Sequence, residues 1–223
     1  MVDFTAARRK MVDSQLRTHD VTDVEILNAM GSVERENFIP AARRSLSYLD
    51  DHVEVASSSG DAPARHLMAP SVMAKLLQAA EIQADDIVLV VGCTTGYAAA
   101  IVARLAGSVV ALECDDALAE QASETLLETS ADNAAVVTGP LADGWPKEGP
   151  YDVILLIGAV DQVPEALLAQ LREGGRLVAV EGHGGSGVSR VHTRSAELVS
   201  SRFAFNASVP ALPGFETKSE FVF

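Results

Sequence analysis

"LVVGCTTGYAAA" (residues 89–100) decides how the rest of the chain is read. An apolar run ends in Gly92, Gly96 follows four positions later, and an alanine-rich segment comes next, so the stretch reads as strand, tight turn and helix. The same alternation extends outward in both directions. "SVMAKLLQAA" is an amphipathic helix and "IVLVV" at 87–91 the strand that follows it. Residues 97–106 read as a helix, "VVALE" at 109–113 as a strand, 116–129 as a helix, "AAVVT" at 134–138 as a strand, and "YDVILLIG" at 151–158 as a strand buried on both faces. Continuous apolar strands separated by helices predict an α/β fold with a doubly wound, mostly parallel sheet. After a helix around "PEALLAQL", the segments "RLVAVE", "SRVHTRS", "LVSSRFAFNA" and "KSEFVF" follow as strands with no helix between them, so the sheet is expected to end antiparallel.

Upstream, Phe4, Ala7, Met11 and Val12 recur at helical spacing, and Thr22 opens "TDVE", a capping-box pattern ahead of Ile26, Leu27 and Met30. Residues 41–66, with "SSSGDAP" among them, carry turn and breaker residues and read as an exposed excursion.

Composition narrows the function classes. A chain of 223 residues, 48% hydrophobic and 22% charged, buries a substantial core, and its net charge of -14 opposes attraction to phosphate backbones and anionic lipid. Neither nucleic acid nor membrane is expected as a partner. The longest apolar run, "VILLIGAV", falls well short of the ~20 residues of a spanning helix. Two cysteines and a start without a secretory pattern make the cytoplasm the expected compartment. The five histidines show no paired ligand spacing, so no metal site is expected, and Cys93 and Cys114 read as small buried apolar residues. "GHGGSG" at 182–187 lies between strands and reads as their connection, "LPGF" at 212–215 reads as a turn before a last strand, and Trp145 as packing for a loop.

The chemistry-bearing pair is Gly92 and Glu113. Gly92 ends one strand where a missing side chain lets backbone approach a ligand, and Glu113 ends the next strand 21 residues on, near the ~20-residue distance at which a carboxylate reaches ribose hydroxyls. An adenosine-type ligand follows. A tight turn and a solvated strand end would leave the same residues behind. Gly92-x-x-x-Gly96 does not fit G-x-G-x-x-G, which makes a nicotinamide oxidoreductase the weakest reading, and no GK[ST] phosphate loop occurs.

Several blocks then carry a resemblance: "RRKMVDSQL", "DVEILNAMGSVERENFIP", "SYLDD", "VGCTTGYAAAIVARLAG", "VVALE", "GWPKEGPYDVILLIGAV" and "VPEALLAQLREGGRLVAV". In this order, over roughly residues 8 to 182, they resemble the protein-L-isoaspartate O-methyltransferase family. The resemblance implies a class I, S-adenosylmethionine-dependent methyltransferase fold: a Rossmann-like seven-stranded sheet with the last strand antiparallel, over residues 70–223, and an N-terminal helical extension on the substrate side, residues 1–69. It implies methyl transfer to the carboxylate of isoaspartyl residues in damaged proteins, the first step of their repair. By the same resemblance Gly92, Cys93, Thr94 and Gly96 line the methionine end of the cofactor, Glu113 holds the ribose, and Pro140 and Leu141 lie by the adenine.

The chain departs from the family at telling positions. The acidic residue two before the first glycine is Val90, and the middle glycine is Thr94, a β-branched residue where a positive φ is expected, so the loop is expected to leave the family's path. The Gly-Asp-Gly near the adenine is Gly139-Pro140-Leu141; the serine of Ser-x-Pro is Met68, and Ser71 stands three positions out of register. An ammonium left without its charged partner forfeits roughly 1.5–3 kcal/mol, about one to two decades in affinity. The alternative to the enzyme is therefore a catalytically degenerate relative that keeps the fold as a binding or interaction module.

Overall fold

Short acidic side chains start several of the helices, and unbroken apolar runs make the central strands. In a computed structural model, residues 2–60, 63–182, 184–196 and 198–216 are described. Asp3 caps α1 (Phe4–Met11), and Asp23, whose carboxylate accepts from the amides of Glu25 and Ile26, caps α2 (Val24–Ser32). The cap thus falls one residue after Thr22, because a carboxylate at that position reaches two free amides of the first turn.

The segment read as an exposed excursion is partly ordered. A 3-10 turn, Ala41–Leu46, leads to a two-stranded antiparallel sheet of β1 (Val53–Ala56) and β2 (Arg65–Leu67). Val53, Val55 and Leu67 are buried by it, and so is Arg65. Pro70 then opens α3 (Pro70–Ala80), a position where its missing N–H costs nothing.

From there the alternation holds: β3 (Ile87–Val91), α4 (Tyr97–Val102), β4 (Ser108–Glu113), α5 (Asp116–Glu128), β5 (Ala134–Thr138), β6 (Tyr151–Val160), α6 (Glu165–Leu168), β7 (Leu171–Glu181), β8 (Val188–Ser195) and β9 (Leu198–Asn206). The seven-stranded sheet has the order β5-β4-β3-β6-β7-β8-β9. Pairs from β5 to β7 are parallel; β8 runs antiparallel to β7, and β9 to β8. The antiparallel strand is thus β8, inserted between β7 and the edge strand β9. A 3-10 turn, Gly184–Ser186, joins β7 to β8, while the segment "KSEFVF" lies outside the described residues.

Alternate residues of β3 face opposite sides. Val88 and Val90 belong to the core beneath α1, α2 and α3, and Leu89 and Val91 to the core on the other face with Leu112, Leu156 and Leu212. The chain builds outward from β3 to β5, then crosses to β6 on the other side of β3. The carboxyl ends of β3 and β6 therefore flank the topological switch point, where open α/β sheets form their ligand crevice.

Candidate functional site

The loop that leaves β3 is built from left-handed turns. Gly92, Thr94 and Gly96 have φ of +77°, +52° and +95°. The amides of Gly92 and Cys93 both donate to the Leu112 carbonyl, at 2.8 and 3.1 Å, tying the loop to the end of β4. Thr94 takes the conformation expected of a glycine despite its branched side chain. Its amide donates to Glu113 Oε2 (2.8 Å) and its hydroxyl to the Cys93 carbonyl (2.7 Å), two bonds that offset left-handed strain of order 1–2 kcal/mol. The branched side chain of Thr94 thus does not keep this position from a positive φ. Gly96 starts α4, and a Cβ built on it would lie 3.3 Å from Ala122 Cβ of α5, so close helix packing also demands glycine there. The extension clamps the loop from above: Thr95 Oγ1 donates to the Phe38 carbonyl (2.6 Å), and the rings of Phe38 and Tyr97 pack edge to face.

Glu113 ends β4 with its side chain 0% exposed, and every approach to its carboxylate is taken. Arg65, from β2, donates through Nη1 to Oε1 (2.6 Å) and through Nη2 to Oε2 (2.9 Å) in a bidentate pair. The amides of Thr94 (2.8 Å), Cys114 (2.8 Å) and Asp115 (3.2 Å) supply the rest. Burial works against the Arg65 charge, yet the Glu113 carboxylate holds its pKa above the ordinary value. Cys93 is buried as expected, whereas Cys114 is exposed at the start of the turn after β4, which corrects the expectation that both are buried. Burial pushes the Cys93 thiol well up, and partial burial followed by the Glu113 charge raises that of Cys114, so neither is a ready thiolate nucleophile.

Above Gly92 stands Leu212. The segment after β9 crosses the carboxyl end of β6, with the Ala159 amide donating to the Pro210 carbonyl (2.9 Å) and the Leu212 amide to the Ala159 carbonyl (2.8 Å). This sets the Leu212 side chain between the two strands of the switch point. A Cβ on Gly92 would lie 2.5 Å from Leu212 Cδ2, and one on Gly158 would lie 2.7 Å from Leu212 Cγ. His52 fastens the same segment: its Nδ1 accepts from the Ala69 amide (3.1 Å), which leaves Nε2 to donate to the Ser208 carbonyl (2.9 Å).

The other expected site residues lie around this centre. Met68 is 2% exposed, its carbonyl held by Arg35 Nη2 (2.8 Å), while the Ser71 amide donates to Asp50 at the start of α3. Val90 is wholly buried in the core under the extension. The Gly139 amide donates to the Glu113 carbonyl; after Pro140, Leu141 turns into the opposite core beside Leu112 and Leu212. Arg65 and Leu212 are the residues that sequence reasoning missed.

What remains at the switch point, between Arg65, Met68, Thr94, Gly158 and Leu212, is a void of about 10 Å³. A single water needs ≳10–15 Å³, and small-molecule pockets run from ≈300 to 1,000 Å³. Arg65 and Leu212 thus occupy the space over Glu113, Gly92 and Gly158 in which the resemblance places part of S-adenosylmethionine, and the cofactor does not fit there while both side chains stay. A larger hollow of about 470 Å³, lined by Ser32, Asn37, Arg104, Glu128 and Asn133 among others, lies away from the loop.

Residues 6–209 match the family model described as protein-L-isoaspartate(D-aspartate) O-methyltransferase (PCMT). The chain is 37% identical over 175 residues to protein-L-isoaspartate O-methyltransferase 2 of Anaeromyxobacter sp. (strain Fw109-5), covering 78% of this chain and 70% of the relative. It is 35% identical over 211 residues to the protein-L-isoaspartate O-methyltransferase of Methylorubrum populi, covering 94% and 96%. Among solved structures, one protein-L-isoaspartate O-methyltransferase superposes with a TM-score of 0.81 at 24% identity, over 93% of this chain and 66% of the other. A Plasmodium falciparum protein of the same description, solved in complex with S-adenosyl-L-homocysteine, superposes with a TM-score of 0.76 at 18% identity over 95% and 99%. At these identities the structural likenesses bear on the fold.

Proposed function

The chain belongs to the protein-L-isoaspartate(D-aspartate) O-methyltransferase family, and from that premise we propose that it methylates the carboxylate of isoaspartyl residues in damaged proteins, with S-adenosylmethionine as the methyl donor. The observation that carries the reading is the match along residues 6–209, with the Gly92–Gly96 loop and Glu113 at the switch point of the sheet. The solved relative with bound S-adenosyl-L-homocysteine supports the choice of cofactor class. Gly92, Cys93, Thr94, Gly96, Glu113, Pro140 and Leu141 are the residues proposed to surround it once the crevice is open.

The substrate eases the chemistry. A carboxylate with a reference pKa of roughly 4 is already ionised near pH 7, so the nucleophile needs no general base, and replacing the family's serine by Met68 removes no proton acceptor. The residues must instead orient the carboxylate and keep water out, which Met68, Tyr97 and Phe38 favour by their burial. The partner in this reading is a protein or peptide rather than nucleic acid or membrane, supported by the net charge of -14. Two unpaired cysteines support a reducing compartment such as the cytoplasm.

The alternative is a non-catalytic member of the family, and the ion pair of Arg65 with Glu113, which occupies the carboxylate proposed to hold the ribose, makes it worth testing. A labelled-methyl assay on an isoaspartyl peptide separates the two. Alkali-labile ester above the blank supports the enzyme, and none at high protein concentration removes it.

A further inference from the structure

We propose that Arg65 and Leu212 are an internal occupant of the cofactor crevice: the guanidinium takes the place of ribose hydroxyls on Glu113, the leucine fills the space over Gly92, and both must leave before S-adenosylmethionine binds. This rests on the proposed methyltransferase reading, whose crevice it describes. The two residues arrive from opposite ends of the fold, Arg65 on β2 and Leu212 beyond β9, and meet at the switch point. Each closes a different part of the site. Arg65 exhausts the acceptor capacity of Glu113, and Leu212 touches both glycines, Gly92 and Gly158, whose missing side chains open the carboxyl ends of β3 and β6.

The device is held by the buried Arg65–Glu113 pair, by the packing of Leu212 and Val209 in the two cores, and by a short set of hydrogen bonds. The Leu212 segment is tied to Ala159 and, through Ser208, to His52, all within one stretch that belongs to no strand of the sheet. Glu113 keeps the amides of Thr94, Cys114 and Asp115 when Arg65 withdraws, so opening does not leave its carboxylate bare. That same backing makes the substitution Arg65→Gln compatible with folding.

The test is titration calorimetry with S-adenosyl-L-homocysteine on the full chain and on the variant carrying Arg65→Gln and Leu212→Ala, with thermal melts to establish that both are folded. The expected result is saturation of both, with a dissociation constant at least tenfold tighter for the variant, a change of about 1.4 kcal/mol. Equal binding by the unaltered chain and the variant overturns the proposal, because the crevice then opens freely. Absence of binding by the folded variant also overturns it, because something other than the occupant then excludes the ligand. Should the double variant fail to fold, Leu212→Ala alone carries the test, with a several-fold gain expected and no gain counting against the proposal. Labelled-methyl transfer to an isoaspartyl peptide is scored separately. Tighter binding without ester refutes the reaction and leaves the occupant standing, while ester formed by the unaltered chain with no gain in the variant does the reverse.

Discussion

Replacing Arg65 by alanine measures how firmly the crevice is closed. The side chains of the pair are 7% and 0% exposed, so the substitution leaves a carboxylate in the interior without its cation. Breaking a buried pair by removing one partner costs roughly 3–5 kcal/mol. Here the lower end applies, since the amides of Thr94, Cys114 and Asp115 still donate to Glu113. A loss of roughly 3 kcal/mol, at about 2–4 °C per kcal/mol for a chain of this length, lowers the melting temperature by about 6–12 °C. Differential scanning calorimetry reads the shift. Adding Glu113→Gln tests its origin: the double variant is expected to cost less than the two single ones combined, by at least about 1 kcal/mol, since each single change strands the other partner. A fall of less than about 2 °C with additive single effects would refute the reasoning, for the pair would then contribute nothing in solution and Glu113 would be free for a ligand.

Three further outcomes follow from the same geometry. Gly92→Ala is expected to destabilise by more than Gly174→Ala: both impose a left-handed cost of about 1–2 kcal/mol, but only at Gly92 does the new methyl meet Leu212, whereas Gly174 has nothing within 4 Å. Urea melts give the difference, and faster amide exchange at residues 210–213 in the Gly92 variant locates it. Thr94→Gly is expected to be near neutral, because relief of φ +52° offsets both the lost hydroxyl bond and the added chain entropy; Thr95→Gly is expected to cost about 1–3 kcal/mol by orphaning the buried Phe38 carbonyl. Burial lowers the pKa of His66 below 6.5, so the unfolded chain binds the proton first on acidification, and His66 contributes stability above pH 6.5 that is lost as pH falls through its folded value. His66→Gln is expected to flatten that acid limb in melts taken from pH 7.5 to 5, and an unchanged slope would count against the assignment.

The sheet was legible because each strand carries its own signal. "IVLVV" and "AAVVT" begin and end where the apolar run does, and the Gly92 turn marks the switch point before any tertiary contact is known. The short elements were not. Val53 and Val55 alternate with Glu54 and Ala56 over only four residues, too few to stand out among the breakers of 41–66, and their burial depends on the extension that covers them. The end of α4 at Val102 rather than near residue 106 is likewise a tertiary matter, since Gly107 and Ser108 are drawn into bonds with the Asp86 carbonyl that pull the chain into β4.

Arg65 and Leu212 lie beyond such reading because neither has a local pattern. A single arginine between Ala64 and His66 is indistinguishable by sequence from a solvated side chain, and a leucine between Ala211 and Pro213 from an ordinary turn residue. Their meaning comes from Glu113. A carboxylate buried at a strand end must be satisfied by something, and here Arg65 does so together with the amides of Thr94, Cys114 and Asp115. Introducing Val90→Glu and Thr94→Gly without releasing Arg65 is expected to leave S-adenosyl-L-homocysteine binding no tighter than in the unaltered chain, while the same changes with Arg65→Gln and Leu212→Ala are expected to bind more tightly than the opened crevice alone. Calorimetry on the two variants decides it, and a gain in the first over the unaltered chain would show that the loop, and not the occupant, governs access.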